Sequence, residues 1–97
     1  MINAMIKTFA DKATAAAFTG LPPRQFPARL HKRLREHLDQ LQQSESLDDL
    51  RSPPGNRLEK LTKDRAGQYS VRINNQWRIC FEWRDGDAWA VEIVDYH

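Results

Sequence analysis

Three segments in the second half of the chain alternate apolar and polar residues with a period of two, and turn-forming residues separate them. Tyr69, Val71 and Ile73 share one face of the first segment, Trp77, Ile79, Phe81 and Trp83 one face of the second, and Trp89, Val91 and Ile93 one face of the third. Successive side chains of a strand point to opposite sides, so each segment offers one face to a core and keeps the other for something else. Asn74-Asn75 and Asp85-Gly86-Asp87 carry the turn chemistry between them. Strands over Gln68–Ile73, Trp77–Arg84 and Ala88–Asp95, joined by links this short, pair as an antiparallel meander. A further strand is expected over Arg57–Leu61.

The apolar faces must coincide when neighbouring strands pair, because a slip of one residue would turn one face outward. Pairing Ile73 with Trp77, Val71 with Ile79 and Tyr69 with Phe81 meets that condition and leaves a three-residue loop. Arg72 then lies across from Arg78, on the face away from the core. Like charges opposed across two strands repel, an arrangement that makes sense if an anion sits between them. The same rule pairs Trp83 with Trp89, Phe81 with Val91 and Ile79 with Ile93. Continued to the end, it sets Val94 opposite Arg78 and Asp95 opposite Trp77, and brings Asp95, Tyr96 and His97 beside the arginine pair.

The first half reads as strand and helix. Ile2 to Phe9 is expected as a strand, with Met5 an alternative start and residues 1–4 an extension before it. Asp11 can cap a short helix to about Thr19, which Gly20 and Pro22-Pro23 end. A second helix opens near Pro27, with Leu30, Leu34, Leu38 and Leu41 as its apolar stripe and Arg29, Lys32, Arg33, Arg35 and Glu36 on its other faces. His31 and His37 on this helix read as surface residues. Ser46 to Asn56 is a loop or helical turn with Pro53-Pro54-Gly55-Asn56 as a firm break. The expectation is one α+β domain over residues 1–97, in the order β-α-α-β-β-β-β, with the helices on one face of the sheet.

Composition narrows the chemistry. No apolar stretch approaches the roughly 18 residues needed to span a membrane. Cys80 is the single cysteine, which excludes an internal disulfide and points to a reducing cytoplasm. Its place inside an apolar strand reads as a packed, inert thiol. The net charge of +2 says little, but its distribution says more. Arg51 to Arg78 holds seven basic residues against two acidic ones, while Glu82 to His97 holds five acidic residues against Arg84 alone. Such polarity suits an anionic partner on one side. Paired guanidiniums grip phosphate, and an imidazole moves protons near neutral pH. RNA carries its own 2′-hydroxyl nucleophile, so no metal is called for, and His31, His37 and His97 lack metal-site spacing. Tyr96 is placed to stack on a base, and Asp95 to orient His97.

From Ser46 onward the chain strongly resembles the HigB group of the RelE/ParE toxin superfamily. The resemblance is carried by Ser46-Leu47-Asp48-Asp49-Leu50-Arg51, Pro53-Pro54-Gly55-Asn56-Arg57-Leu58-Glu59, Asp64-Arg65-Ala66-Gly67-Gln68-Tyr69-Ser70-Val71-Arg72-Ile73-Asn74, Gln76-Trp77-Arg78-Ile79-Cys80-Phe81 and Val91-Glu92-Ile93-Val94-Asp95-Tyr96-His97. Met5-Ile6-Lys7-Thr8-Phe9 looks like the usual opening of the group. The resemblance implies a RelE-like fold and a ribosome-dependent endoribonuclease that cuts messenger RNA during translation without a cofactor. It also implies a HigA-type helix-turn-helix antitoxin as partner, through which operator DNA is reached. Carried over by position, His97 is the proton-transfer residue, Tyr96 and Asp95 its neighbours, and Arg78 the phosphate clamp. Arg72, Lys60, Lys63 and Arg57 are the further candidates for holding RNA. Leu61-Thr62-Lys63-Asp64 departs from the lysine-glycine pair common in relatives, which leaves open which lysine serves the site. The alternative is a module that binds RNA or the ribosome, or acts as a co-repressor, without catalysis.

Overall fold

The computed structural model describes residues 6–52 and 54–96. The expected start of the first strand at Ile2 or Met5, Pro53 of the proline pair, and His97 lie outside the described residues. Helix α1 spans Lys12–Phe18, and its N-cap Asp11 accepts a hydrogen bond from the Thr14 amide at 2.7 Å through Oδ1. A carboxylate there satisfies one of the amides that the first turn leaves without an intrahelical partner. One 3₁₀ turn, Ala28–Leu30, leads into α2, His31–Gln43, whose Leu34, Leu38 and Leu41 are buried as the leucine stripe requires.

Strands β1 (Glu59–Lys60), β2 (Gln68–Arg72), β3 (Trp77–Arg84) and β4 (Asp87–Asp95) form an antiparallel sheet in sequence order. The strand expected over Arg57–Leu61 is cut short at its start. Arg57 takes a left-handed φ of 44°, which extended backbone does not allow. The segment expected as a first strand runs parallel to β4 through isolated bridges from Ile6 to Ala88 and from Phe9 to Val91. The Lys7 amide donates to the Ala88 carbonyl at 2.8 Å and the Ala10 amide to the Val91 carbonyl at 2.9 Å, so this segment covers the outer edge of β4.

The β2–β3 register is the expected one, with Tyr69 across from Phe81, Val71 from Ile79 and Arg72 from Arg78. In the last hairpin Ile79–Ile93, Arg78–Val94 and Trp77–Asp95 also pair as expected. Beyond Cys80 the register shifts, and Glu82 faces Trp89 while Trp83 faces Ala88. The expected Trp83–Trp89 pairing is therefore replaced. A bulge with Ala90 at φ 52° adds one residue to β4, which inverts the faces beyond it. Ala88 takes the buried position and Trp89 turns to the other face, where the Arg84 guanidinium lies 4.4 Å from its ring centroid.

One core lies between the helices and a single sheet face. It joins Ala17, Phe26, Leu30, Leu34, Leu38 and Leu41 to Val71, Ile73, Ile79, Phe81, Val91 and Ile93. Thr14 of α1, fully buried, accepts from the Ile93 amide at 3.0 Å, fastening α1 to β4. The opposite sheet face carries Glu59, Ser70, Arg72, Arg78 and Glu92 and lies away from the core that α1 and α2 cover. Among the described residues, no helix is long and apolar enough to cross a membrane.

Candidate functional site

On that open face, at the end of the sheet where β2 turns into β3, Arg78 is the best-held cation. Its side chain is only 11% exposed. Nε donates to the Ser70 hydroxyl at 2.8 Å, and one terminal nitrogen donates to the Arg57 carbonyl at 2.8 Å while lying 3.4 Å from Glu59 Oε1. Ser70 is one step along β2 from the residue directly opposite Arg78 on the same face, so the arginine reaches it diagonally across the ladder. The guanidinium is thus fixed in place before any ligand arrives.

The Arg57 carbonyl is presented by a strained backbone. A non-glycine residue at φ 44° costs about 1–2 kcal/mol, which the surrounding structure must offset. What holds it is the buried amide of the preceding residue. Asn56 Nδ2 donates to Gln40 Oε1 at 3.0 Å and to the Leu50 carbonyl at 3.1 Å, and Gln40 Nε2 donates to the Ser52 carbonyl at 2.7 Å. This network ties the 47–56 segment to α2. Ser46 and Asp49 add a capping box at its start.

Arg72, opposite Arg78, turns toward the hairpin loop. Its Nε donates to the Asn74 carbonyl at 3.2 Å, and a terminal nitrogen donates to Asn75 Oδ1. The loop is itself locked, because Asn74 Oδ1 accepts from the Gln76 and Trp77 amides at 2.8 Å each. At the other side stands Tyr96, 41% exposed, with the Arg78 guanidinium carbon 5.7 Å from its ring centroid. The Tyr96 amide donates to the Gln76 carbonyl, which anchors this position beside β3.

Arg57, Glu59, Arg72, Asn74, Asn75, Arg78 and Tyr96 together line a cleft of about 260 Å³. Three guanidiniums, one aromatic ring and one carboxylate line this small cleft, a set whose donors can grip a phosphate and whose ring can stack on a base. Of the residues singled out in the sequence, Arg57, Arg72, Arg78 and Tyr96 meet here. Asp95 stands across from Trp77 and accepts from Gln76 Nε2 at 3.2 Å, next to the cleft but not in its wall. Lys60, exposed and paired with Tyr69, follows Glu59 on the opposite face of β1. Lys63 occupies the turn before β2 at φ 57°, away from the cleft wall. Ser70, Glu59 and the Arg57 carbonyl were not evident from residue type. The Arg72–Arg78 pairing did carry a signal for Ser70, since it predicts a polar neighbour one step along the same face.

Cys80 lies buried at the centre of β3. Burial pushes its thiol up, Arg65 and Arg78 pull it partly back, and Glu92 adds to the rise, so it is protonated and inert. The same open face carries an Arg65–Glu92 ion pair at 3.3 Å. Among the described residues, no group of histidines, cysteines and carboxylates is spaced to hold a metal ion.

A family model described as "RelE-like toxin of type II toxin-antitoxin system HigB" matches residues 7–97. Toxin HigB-1 of Vibrio cholerae serotype O1 is 40% identical over 65 residues, which are 67% of this chain and 68% of that protein. Endoribonuclease HigB of Proteus vulgaris is 29% identical over 93 residues, 96% of this chain and all of the relative's (100%). The solved YoeB-YefM complex from Staphylococcus aureus superposes with a TM-score of 0.60 at 22% identity, covering 99% of both chains, and shares the α+β fold.

Proposed function

The chain belongs to the HigB-like toxins, RelE-like toxins of type II toxin–antitoxin systems, and from that membership and the Arg78 cleft we propose that it is an endoribonuclease that cuts messenger RNA during translation. The observation that carries the reading is Arg78 itself, a guanidinium held at 2.8 Å by both Ser70 and the Arg57 carbonyl, with Tyr96 against it. A group fixed in advance stabilises developing charge without reorganising during the reaction.

In this reading the scissile phosphate lies between Arg78 and Arg72. The 2′-hydroxyl of the preceding ribose attacks phosphorus, the bond to the 5′-oxygen breaks, and a cyclic phosphate and a 5′-hydroxyl result. The two arginines neutralise the added negative charge, while the exposed Glu59 carboxylate gives way to the phosphate. Tyr96 stacks on a base beside the cut. His97, next to Tyr96 in the sequence, carries the proton, with Asp95 orienting it. Each step uses side chains alone and needs no cofactor. The ribosome presents the codon, a HigA-type helix-turn-helix antitoxin neutralises the toxin and brings it to operator DNA, and the cytoplasm is where these partners meet.

The experiment is a primer-extension map of transcripts in a purified translation system, with the parent chain, Arg78→Ala and His97→Ala. Cuts within translated codons, lost in both variants, are expected. Translation arrested with every transcript intact would instead point to a binding module without catalysis.

A further inference from the structure

Past the β2–β3 loop the cleft adjoins a second and larger basin, of about 390 Å³, that the chemistry above leaves unused. It is walled by Arg33 and His37 of α2, by Gly55 and Asn56 of the turn before β1, and by Arg72 and Asn74. Arg72, Asn74 and Asn75 line both spaces, so the two are continuous across one arginine. The small cleft includes Glu59, whereas no carboxylate lines the basin. Arg33 is exposed and has no ion-pair partner among the described residues, while Arg35, two positions on, is taken by Asp39 at 3.0 Å.

His37 adds orientation. Its Nδ1 lies 2.9 Å from the Arg33 carbonyl, which can only accept, so Nδ1 carries the hydrogen. Nε2 is then left without a partner among the described residues. The ring is a flat, half-buried surface beside an uncommitted guanidinium. Asn74 and Asn75 offer amide donors and acceptors of the kind that read base edges. Arg29 and Lys32, exposed on the same helix, extend the positive field.

We propose that this basin holds the nucleotide flanking the cleaved bond, its phosphate between Arg33 and Arg72 and its base against His37 and Asn74. The inference rests on the ribonuclease reading of the Arg78 cleft and adds a second point of attachment for single-stranded RNA. A strand leaving the cleft past Arg72 enters a space with two arginines and no carboxylate. Arg72 then serves both nucleotides, which explains why it is turned to the loop and not to Arg78.

The test uses the full chain, labelled with nitrogen-15, and two single-stranded RNAs made uncleavable by 2′-deoxy substitution, a trinucleotide and a hexanucleotide. The trinucleotide is expected to shift the amides of Ser70, Arg78 and Tyr96. The hexanucleotide should shift those and also Arg33, His37 and Asn56, which line the basin and not the cleft. Gly55→Glu supplies the second arm. A Cβ at Gly55 meets nothing within 4 Å and the backbone there is not left-handed, so the change places a carboxylate at the basin without straining the fold. It should weaken hexanucleotide binding about tenfold and leave the trinucleotide as before. Arg33→Ala should lower the slope of log affinity against log salt by about 0.7 for the longer RNA, as loss of one phosphate contact does for a single strand. Hexanucleotide shifts confined to the Arg78 cleft, or equal binding by Gly55→Glu and the parent, would overturn the basin and leave the ribonuclease reading standing. Shifts nowhere with either RNA would also overturn the basin, while the ribonuclease reading, in which the ribosome presents the codon, stands or falls on the primer-extension map.

Discussion

Arg72 and Arg78 are direct partners in the β2–β3 ladder, yet they hold no acceptor in common. Arg78 is bound by Ser70, the Arg57 carbonyl and Glu59, and Arg72 by the Asn74 carbonyl and Asn75. Like charges opposed on one sheet face cost a few tenths to about 1 kcal/mol. Nothing in the fold requires that cost, and an anion between them would remove it. Arg72→Gln keeps a side chain of similar reach and removes the repulsion. It should raise stability by about 0.5 kcal/mol in urea unfolding. Cleavage should fall about tenfold, the worth of about 1.4 kcal/mol of lost binding. A variant both weaker in cleavage and less stable would show Arg72 to be a structural residue.

Arg78→Lys separates charge from geometry. Lysine keeps the positive charge but is a single point donor on a flexible stem, and cannot bridge Ser70 and the Arg57 carbonyl as the guanidinium does. If pre-set geometry is what the cleft supplies, codon cleavage should drop about 100-fold, the scale seen when one fixed charge-stabilising donor is removed. Ser70, fully buried, would lose its partner, at a stability cost of about 1 kcal/mol. Thermal melts by circular dichroism measure the second quantity and primer extension the first. Near-parental cleavage by the lysine variant would mean that net charge alone suffices.

Much of this site was legible in the alternation of apolar residues, and the reason is physical. Between Tyr69 and Ile79 a slip of one residue would expose a core face, so only one register is affordable and Arg72 must meet Arg78. The same logic failed at Trp89, because the bulge is a backbone event at Ala90, and alanine gives no turn signal such as glycine or asparagine would. An aromatic residue near the apolar set then looked like part of it. The acceptors that hold Arg78 were hidden for a related reason. A carbonyl is common to every residue, and what makes that of Arg57 special is a φ of 44°, set by Asn56 and Gln40 from another part of the chain. Short-range pattern reads faces and pairings; it does not read where backbone is strained.

Cys80 sets a pH dependence of stability whose sign is determined by its burial. The folded thiol titrates above its ordinary value of 9.0, so as pH rises through that value the unfolded chain gives up its proton first. The stability this group contributes is complete below pH 9.0 and is lost as pH climbs toward the folded value. The informative quantity is the difference between the parent and a variant without the thiol. Urea midpoints of the parent should fall more steeply between pH 8 and pH 10 than those of Cys80→Ala, and a disulfide reagent should modify Cys80 only after unfolding. Equal slopes, with rapid modification of the folded chain, would mean that the thiol is open to solvent.

Ala90 tests the bulge that redirects β4. At φ 52° an alanine bears a steric cost of about 1–2 kcal/mol that glycine does not. Glycine brings its own penalty, about 0.5–1 kcal/mol of extra freedom in the unfolded chain. The first term is the larger, so Ala90→Gly should stabilise the protein by about 0.5 kcal/mol, read as a higher urea midpoint at an unchanged slope. Ala90→Val moves the other way, since a β-branched side chain fits the left-handed region worst. The bulge also sets which face Trp89 and Ala88 occupy, while the Ile79–Ile93 and Arg78–Val94 pairs lie beyond it, toward the cleft. Cleavage by Ala90→Gly should therefore match the parent. A loss of stability in the glycine variant would show that the strand pairs without the bulge, with Trp89 in the core as its sequence suggests.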